Sequence, residues 1–292
     1  MTRIQNNKMS LREFEEYGNL HRMFLQAMMS RKIIANEAFK PLVALCCKRC
    51  NVTIPEGKES EALGIFLKSV NRKIKPLSLR LGKILDEEEY HKQSYLVLTN
   101  ECDRSQESTQ LTIKAMVSFA PHELEYLKII VHELLENPMR ELTPKDAVNR
   151  CVDINKSLVE AEAILDKLCQ HQWLRWTDDE QNAGRKLRLA PRFIYEMQPY
   201  LKEVYPNLVA NCCQCNKIVI RSIDCPQCSA KYHMYCLPRN YKCAGEKGLC
   251  KATLPKTRQP ARQEVEESPK RKKKRRIQES ESETDLNTDS DE

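Results

Sequence analysis

Apolar residues recur at helical spacing from Leu11 to about Ile34, through Leu11, Phe14, Leu20, Met23, Phe24, Ala27 and Met28, and predict a helix there. A second helix is expected over Asn36 to Arg49, with Pro41 near its first turn or at a boundary. A third is expected over Glu61 to Lys73, where Leu63, Ile65, Phe66, Val70 and Ile74 cluster and Pro76 stops the run. The pattern then changes period. Leu77, Leu79 and Leu81 alternate, as do Tyr95, Val97 and Thr99, with an acidic stretch between them, which reads as a two-stranded hairpin with one covered face.

The same order returns further on. "QLTIKAMVSFA" reads as a strand leading into a helix that Pro121 opens and Asn137-Pro138 closes. Thr143-Pro144 supplies a cap and first position for a short helix to about Cys151. Lys156 to Gln172 is amphipathic through Leu158, Ala161, Ile164, Leu165 and Leu168. "WLRWTDDEQNAGRKLRLAP" gives two more alternating strands, and a last helix is expected from Pro191 to Val204. Three helices followed by a hairpin is the order of a winged-helix domain, and here it occurs twice. The repeat is one of pattern, not of letters.

Composition narrows the class. The 292 residues are 41% hydrophobic and 30% charged, enough apolar material for small cores and too little for one large sheet enzyme. No charge-poor run is long enough to span a bilayer. "MTRIQNNKMSLREFEEYGNL" has no apolar signal stretch, so the cytosol or nucleus is expected. A reducing compartment makes clustered cysteine a metal signal rather than a disulfide signal.

Of 14 cysteines, those from Cys212 to Cys250 crowd together with His233. A C-x2-C turn offers two thiolates on one knuckle, and two such half-sites complete one tetrahedral zinc site. Cys212-x2-Cys215, Cys225-x2-Cys228 and His233-x2-Cys236 are three half-sites, and Cys243 with Cys250 is left for the fourth. Alternate pairing makes a cross-brace. Zinc one is expected on Cys212, Cys215, His233 and Cys236, and zinc two on Cys225, Cys228, Cys243 and Cys250. The last pair is stretched to C-x6-C. Either the loop "AGEKGL" folds back so that both thiols bind, or one ligand is replaced; Thr253 stands where a C-x2-C starting at Cys250 would have its second thiol. Ile218, Val219, Ile220, Tyr232, Met234 and Tyr235 are expected to form the small core between the metals. A module this small depends on its ions for much of its folding free energy.

Two winged-helix patterns followed by a four-Cys, His, three-Cys finger resemble the non-SMC element one family, subunits of the SMC five/six chromosome-maintenance complex. The likeness lies in "VHELLENPMRELTPKDAVNRCVDINKSLVEAEAILDKLCQHQWLRW" and "CCQCNKIVIRSIDCPQCSAKYHMYC" and covers about residues 10–255. It implies a nuclear, mainly α-helical protein with small β-hairpins. Tandem winged-helix domains (1–105 and 106–208) would precede a cross-brace RING-like finger with two zinc ions (209–254); the charged tail (255–292) lies outside the likeness and, being low in apolar residues and blocky in charge, is expected to be disordered. It implies a MAGE-type winged-helix partner (non-SMC element three), a kleisin partner, DNA repair by recombination, and a finger that holds a ubiquitin-conjugating enzyme for transfer. RING ligases place an aliphatic residue after the first ligand and close with Cys-Pro-x-Cys; here Cys213 and the stretched pair stand instead.

Two other readings compete. One is a purely structural docking subunit. The other is a histone-tail reader of the PHD type, which shares the ligand order; the six residues between Cys236 and Cys243 are short for it. No Ser-His-Asp set, phosphate-cradling glycine loop or paired-carboxylate site stands out, so no catalytic residue is assigned. "CCKRC" (Cys46, Cys47, Cys50) has no second half-site nearby. His132 and His171 read as structural, and Trp173 and Trp176 as packing of the second hairpin. Lys68, Arg72, Lys73, Lys75, Arg80 and Lys83 form a basic run, but the acidic hairpin loops (Asp86 to Glu89, Asp178 to Glu180) oppose a strand pair lying in a nucleic-acid groove, so DNA contact is expected to be weak or indirect. The tail carries a nuclear-import candidate at Lys270, Arg271, Lys272, Lys273, Lys274, Arg275 and Arg276, followed by seven acids among residues 277–292.

Overall fold

The computed structural model describes residues 11–87, 93–100, 119–179, 184–245 and 250–256. The strand expected within residues 110–118, the rest of the acidic loop from Glu88 to His91, and the tail with its basic run lie outside them.

The predicted first helix is divided. Residues 11–15 form a helical turn, the chain extends at Gly18, and helix α1 runs Asn19–Arg31. A three-residue strand, β1 (Ile33–Ala35), follows, which the sequence did not signal. Helices α2 (Asn36–Cys50) and α3 (Glu59–Ile74) then lead to strands β2 (Leu79–Leu85) and β3 (Ser94–Asn100). Pro41 lies inside α2. The sheet is antiparallel in the order β1-β3-β2, so β3 is its central strand. Its covered face was read as one, but Leu96, Val97, Leu98 and Thr99 are all buried. Leu96 and Leu98 join the N-terminal core with Phe14, Phe24, Phe66 and Leu81.

The central segment repeats the scheme with helices α4 (Pro121–Glu136), α5 (Pro144–Asn149) and α6 (Leu158–Gln170), and strands β4 (Leu174–Asp179) and β5 (Gly184–Leu189). The repeat extends to a detail. Leu142, between α4 and α5, bridges Leu187 on β5, as β1, between α1 and α2, pairs with β3. In both segments the link between the first two helices pairs with the second hairpin strand. Thr143 caps α5 through Asp146 N–H, and Ser157 and Glu160 form a reciprocal capping box on α6. Leu158, read as a core position, is 55% exposed, because it is the first residue after that cap.

The predicted helix from Pro191 to Val204 is two helices, α7 (Pro191–Glu196) and α8 (Gln198–Val204), broken at Met197. Pro199 has no N–H to bond the Tyr195 carbonyl, and its ring crowds that group. Helix α7 packs on the N-terminal sheet. At Gly82 a Cβ would fall 1.8 Å from the Tyr195 hydroxyl oxygen, so only glycine lets α7 approach β2 this closely. Among the described residues no helix is long and apolar enough to cross a membrane.

Candidate metal centre

Two short hairpins build the cysteine-rich module. Strands β6 (Ala210–Asn211) and β7 (Ile218–Val219) flank the first knuckle, and β8 (Ile223–Asp224) and β9 (Lys231–Tyr232) the second. Each knuckle turns in the same way. Cys212 N–H donates to Lys217 O and Cys225 N–H to Ala230 O. The residue after each C-x2-C, Asn216 and Ser229, is left-handed with φ of 56°. The turns aim backbone N–H groups of Gln214 and Cys215 at the Cys212 sulfur, and those of Gln227 and Cys228 at Cys225.

The ligand atoms gather in two groups of four. Cys212, Cys215, His233 and Cys236 form one, and Cys225, Cys228, Cys243 and Cys250 the other; within each group the atoms lie within 4.8 Å of one another. That is the alternate pairing expected from the spacing. The stretched last pair is brought together by pairing between the residues on either side of it. Cys243 N–H donates to Ala252 O, Leu254 N–H to Tyr241 O, and Lys242 bridges Thr253. Thr253 Oγ1 accepts from Lys242 Nζ at 2.9 Å and takes no place among the four sulfurs. Gly245 turns with φ +49°, and a Cβ there would meet Cys250 Cβ at 2.7 Å. Cys213 is exposed, 3.6 Å from Gly245 O.

The donor set fits a soft or borderline divalent cation. Zinc–sulfur bonds of about 2.3 Å make tetrahedral edges of about 3.8 Å. Cys225 and Cys250 are 3.7 Å apart, and Cys228 and Cys243 3.5 Å. Protonation points the same way. Burial raises Cys212, yet the His233 side chain and the knuckle N–H groups outweigh it and bring the thiol to about 6. Burial likewise opposes ionisation of Cys225, and the N–H groups of Cys228 and Gln227 bring it to about 7. The Ala230 N–H favours a Cys228 thiolate, but its crowded sulfur neighbours push that thiol up to about 12. Cys236 is also pushed up, by burial and then by Cys212. Each quartet thus ionises one thiol easily and resists ionising another unless positive charge arrives between them.

His233 is 2% exposed. Its Nδ1 faces Cys215 Sγ at 3.4 Å. Its Nε2 lies 2.9 Å from Ile218 O and 3.5 Å from Glu87 Oε1. Both Nε2 partners are acceptors, so Nε2 carries the hydrogen and Nδ1 is left for the quartet. Burial would lower the His233 pKa, but Cys212 and Glu87 hold it up at about 10, so a cation entering the quartet must displace a proton from Nδ1 to bind there.

The sequence reading missed two acids. Asp86 and Glu87, read as a solvated loop, are 3% and 9% exposed. Asp86 grips Arg175 on β4 with two hydrogen bonds of 2.6 and 2.7 Å. Both Glu87 oxygens take the Ile220 N–H, and Oε2 also takes the Arg221 N–H at 2.7 Å. It also misassigned four apolar residues, of which Met234 and Tyr235 are half-buried and join neither core. Ile218 and Ile220 belong to the central core with Leu187, Ile194 and Val209, whereas Val219 and Tyr232 stay in the module's own core.

The remaining candidates fall outside the quartets. Cys46 and Cys47 are buried in the N-terminal core, where burial foremost drives the Cys47 thiol up to about 11. His132 stacks on Tyr205, and His171 meets Phe119 with the rings tilted by 58°. Trp173 packs between Phe119 and Phe193, and Arg185 covers Trp176. Lys68, Arg72, Lys73, Lys75, Arg80 and Lys83 are all exposed.

Comparison with known proteins agrees with this architecture. The family described as "Nse1 non-SMC component of SMC5-6 complex" matches residues 21–197, which stops short of the cysteine-rich module and so rests on the helical segments alone. The bovine Non-structural maintenance of chromosomes element 1 homolog is 24% identical over 233 residues, 78% of this chain and 80% of its own length. The human homolog is 22% identical over 242 residues, 81% and 84% of the two lengths. The homolog of Drosophila melanogaster is 23% identical over 218 residues, 74% and 87%. A chain of the solved Nse1-Nse3-Nse4 complex shares the fold with a TM-score of 0.65 at 23% identity, over 82% of this chain and 97% of that one. The family match alone covers more than half of the sequence, and the chain belongs to the Nse1 family, non-SMC components of the SMC5-6 complex.

Proposed function

We propose that this chain is the RING-like subunit of an SMC5-6-type complex in the nucleus, acting in DNA repair by recombination. Residues 1–105 and 106–208 are its winged-helix domains, 209–254 its two-zinc cross-brace finger, and 255–292 its charged tail. Its partners are a MAGE-type Nse3-like subunit and a kleisin Nse4-like subunit. The observation that carries the reading is the alternate gathering of the two quartets on a body of the Nse1 family. The repeated pairing of Leu142 with Leu187 and of β1 with β3 supports two copies of one winged-helix plan. Sulfur-rich quartets with one imidazole support zinc, a redox-silent tetrahedral ion that would cross-link the module. Co-expression with Nse3-like and Nse4-like chains should give a stable ternary complex on gel filtration; failure to co-elute would overturn the assignment of partners.

The finger has no nucleophile of its own, so its chemistry is to hold a ubiquitin-conjugating enzyme with the thioester turned toward an attacking lysine. A second reading, docking without ligase activity, is favoured by one observation: the exposed Cys213 stands beside the first ligand, where RING fingers that bind such enzymes carry an aliphatic residue. Discharge of ubiquitin from charged conjugating enzymes separates the two, with the chain alone and with its MAGE-type partner. Faster discharge that Cys228→Ser abolishes supports the ligase. No acceleration with any enzyme, from a sample holding two zinc ions, leaves docking as the function.

A further inference from the structure

The acidic loop after β2 is the least expected neighbour of the metal centre. Glu87 is contributed by the N-terminal segment, 133 residues before Ile220, whose N–H it accepts. Its carboxylate is almost buried and takes the N–H groups of Ile220 and Arg221, the two residues that follow β7. On its other side it faces His233 Nε2 at 3.5 Å, beside the Ile218 carbonyl that the same nitrogen reaches at 2.9 Å. One carboxylate thus holds the strand beside a candidate ligand and the outer nitrogen of that ligand's ring. Ligating imidazoles take their orientation and basicity from such a partner on the second nitrogen.

We propose that Glu87 is a positioning residue of the first metal centre, an outer-shell carboxylate supplied by the N-terminal segment that orients His233 toward its ion. The inference rests on the two-zinc reading given above. It has a reciprocal consequence. If the N-terminal segment tightens the first ion through Glu87, that ion tightens the docking of the segment by the same factor. Among the described residues the second quartet has no such link. Its outer hydrogen bonds come from within the module, from Tyr232 Oη at 3.2 Å and the Gly245 N–H at 3.2 Å, both to Cys243 Sγ.

The full chain loaded with cadmium-113 tests this. A three-sulfur, one-nitrogen site and a four-sulfur site give separate resonances. Glu87→Gln, which keeps the shape and removes the charge, should move the first resonance and leave the second in place. It should also speed transfer of one of the two zinc ions to a chromogenic chelator by about tenfold. Asp86→Asn loosens the same loop without touching His233, and should change neither resonance. Two resonances unchanged in Glu87→Gln, with wild-type release of both ions, would overturn the role of Glu87. Equal acceleration of both ions would also overturn it, because that is general loosening. If Glu87→Gln fails to fold, Glu87→Asp, with its charge on a shorter arm, should still shift only the first resonance. Metal analysis finding fewer than two ions on the wild-type chain would instead refute the two-zinc reading.

Discussion

Asp86 and Arg175 join the N-terminal sheet to the central hairpin, and removing that pair gives the sharpest test of the architecture. Asp86 is 3% exposed and the Arg175 side chain 20%, and the two meet through two short parallel hydrogen bonds. Removing one partner of a fully buried pair costs about 3–5 kcal/mol, because the other charge is stranded. Arg175 is one-fifth open to water, so part of that penalty is recovered, and Asp86→Ala is expected to destabilise by about 2–3 kcal/mol. Arg175→Met keeps the apolar stem and removes the charge. The double variant should therefore be less destabilised than the sum of the single changes, with a coupling energy of about 1.5–2 kcal/mol. Both tryptophans of the chain, Trp173 and Trp176, flank Arg175, so intrinsic fluorescence during urea unfolding reports on this hairpin. A coupling energy below about 0.5 kcal/mol is that of a solvated surface pair. That result would refute the buried pair as the join between the N-terminal sheet and the central hairpin, while Glu87 keeps its own anchors on the Ile220 and Arg221 N–H groups.

Three further outcomes are expected. His21 is 0% exposed, stacks on Phe66, accepts the Gly18 N–H at Nδ1 and faces Phe14 O through Nε2. Burial lowers its folded pKa, so the unfolded chain binds the extra proton first. Stability should fall as pH drops through about 6.5, by up to ~1.4 kcal/mol per pH unit, and His21→Gln should flatten that part of a urea-midpoint profile; an unchanged slope refutes the neutral buried imidazole. Gly82→Ala should displace the Tyr195 ring and cost about 1–3 kcal/mol in thermal or urea unfolding, and a neutral change would refute the close approach of α7 to β2. Ile220→Ala should cost about 3 kcal/mol of docking and speed proteolysis near Val209 while two zinc ions stay bound; loss of the ions with the docking would return Ile220 to the module's own core.

What was legible in the sequence was what is local. The half-sites at Cys212, Cys225 and His233 show their spacing because each knuckle is one short turn, and the gathering of alternate pairs follows from their order. Helices α2, α3, α4 and α6 show because each buries one stripe. Most of the misses are non-local. β1 is three residues long, and only its pairing with β3 makes it a strand. β3 lost its alternation because α7 covers the face that a free hairpin would leave wet. Asp86 and Glu87 look solvated until their partners, 89 and 133 residues on, are known. Ile218 and Ile220 alternate around Val219 as any strand would; nothing nearby says that the two faces belong to different cores. One miss was local: the reading of a single helix from Pro191 to Val204 passed over Pro199, whose missing N–H and restriction of the residues before it mark the break at Met197.

The non-local misses share one physical cause, which bears on how the module works. Its own buried cluster holds seven residues, three of them quartet cysteines. Burying an isoleucine is worth about 1.5–3 kcal/mol, and two such contributions beside the first knuckle, Ile218 and Ile220, are given to the central core instead. On the two-zinc reading, the module therefore depends on two external supports, the cross-links its ions would make and its attachment to the body. β7 bears on both, with Val219 in the module's own core and its two isoleucine neighbours facing away. Glu87 ties the same strand end to the N-terminal sheet, and Asp86 ties that sheet to the central hairpin. A finger held at these points does not swing on a linker. Whatever face it presents is set by the helical body, so a partner that grips the body also fixes where the finger points.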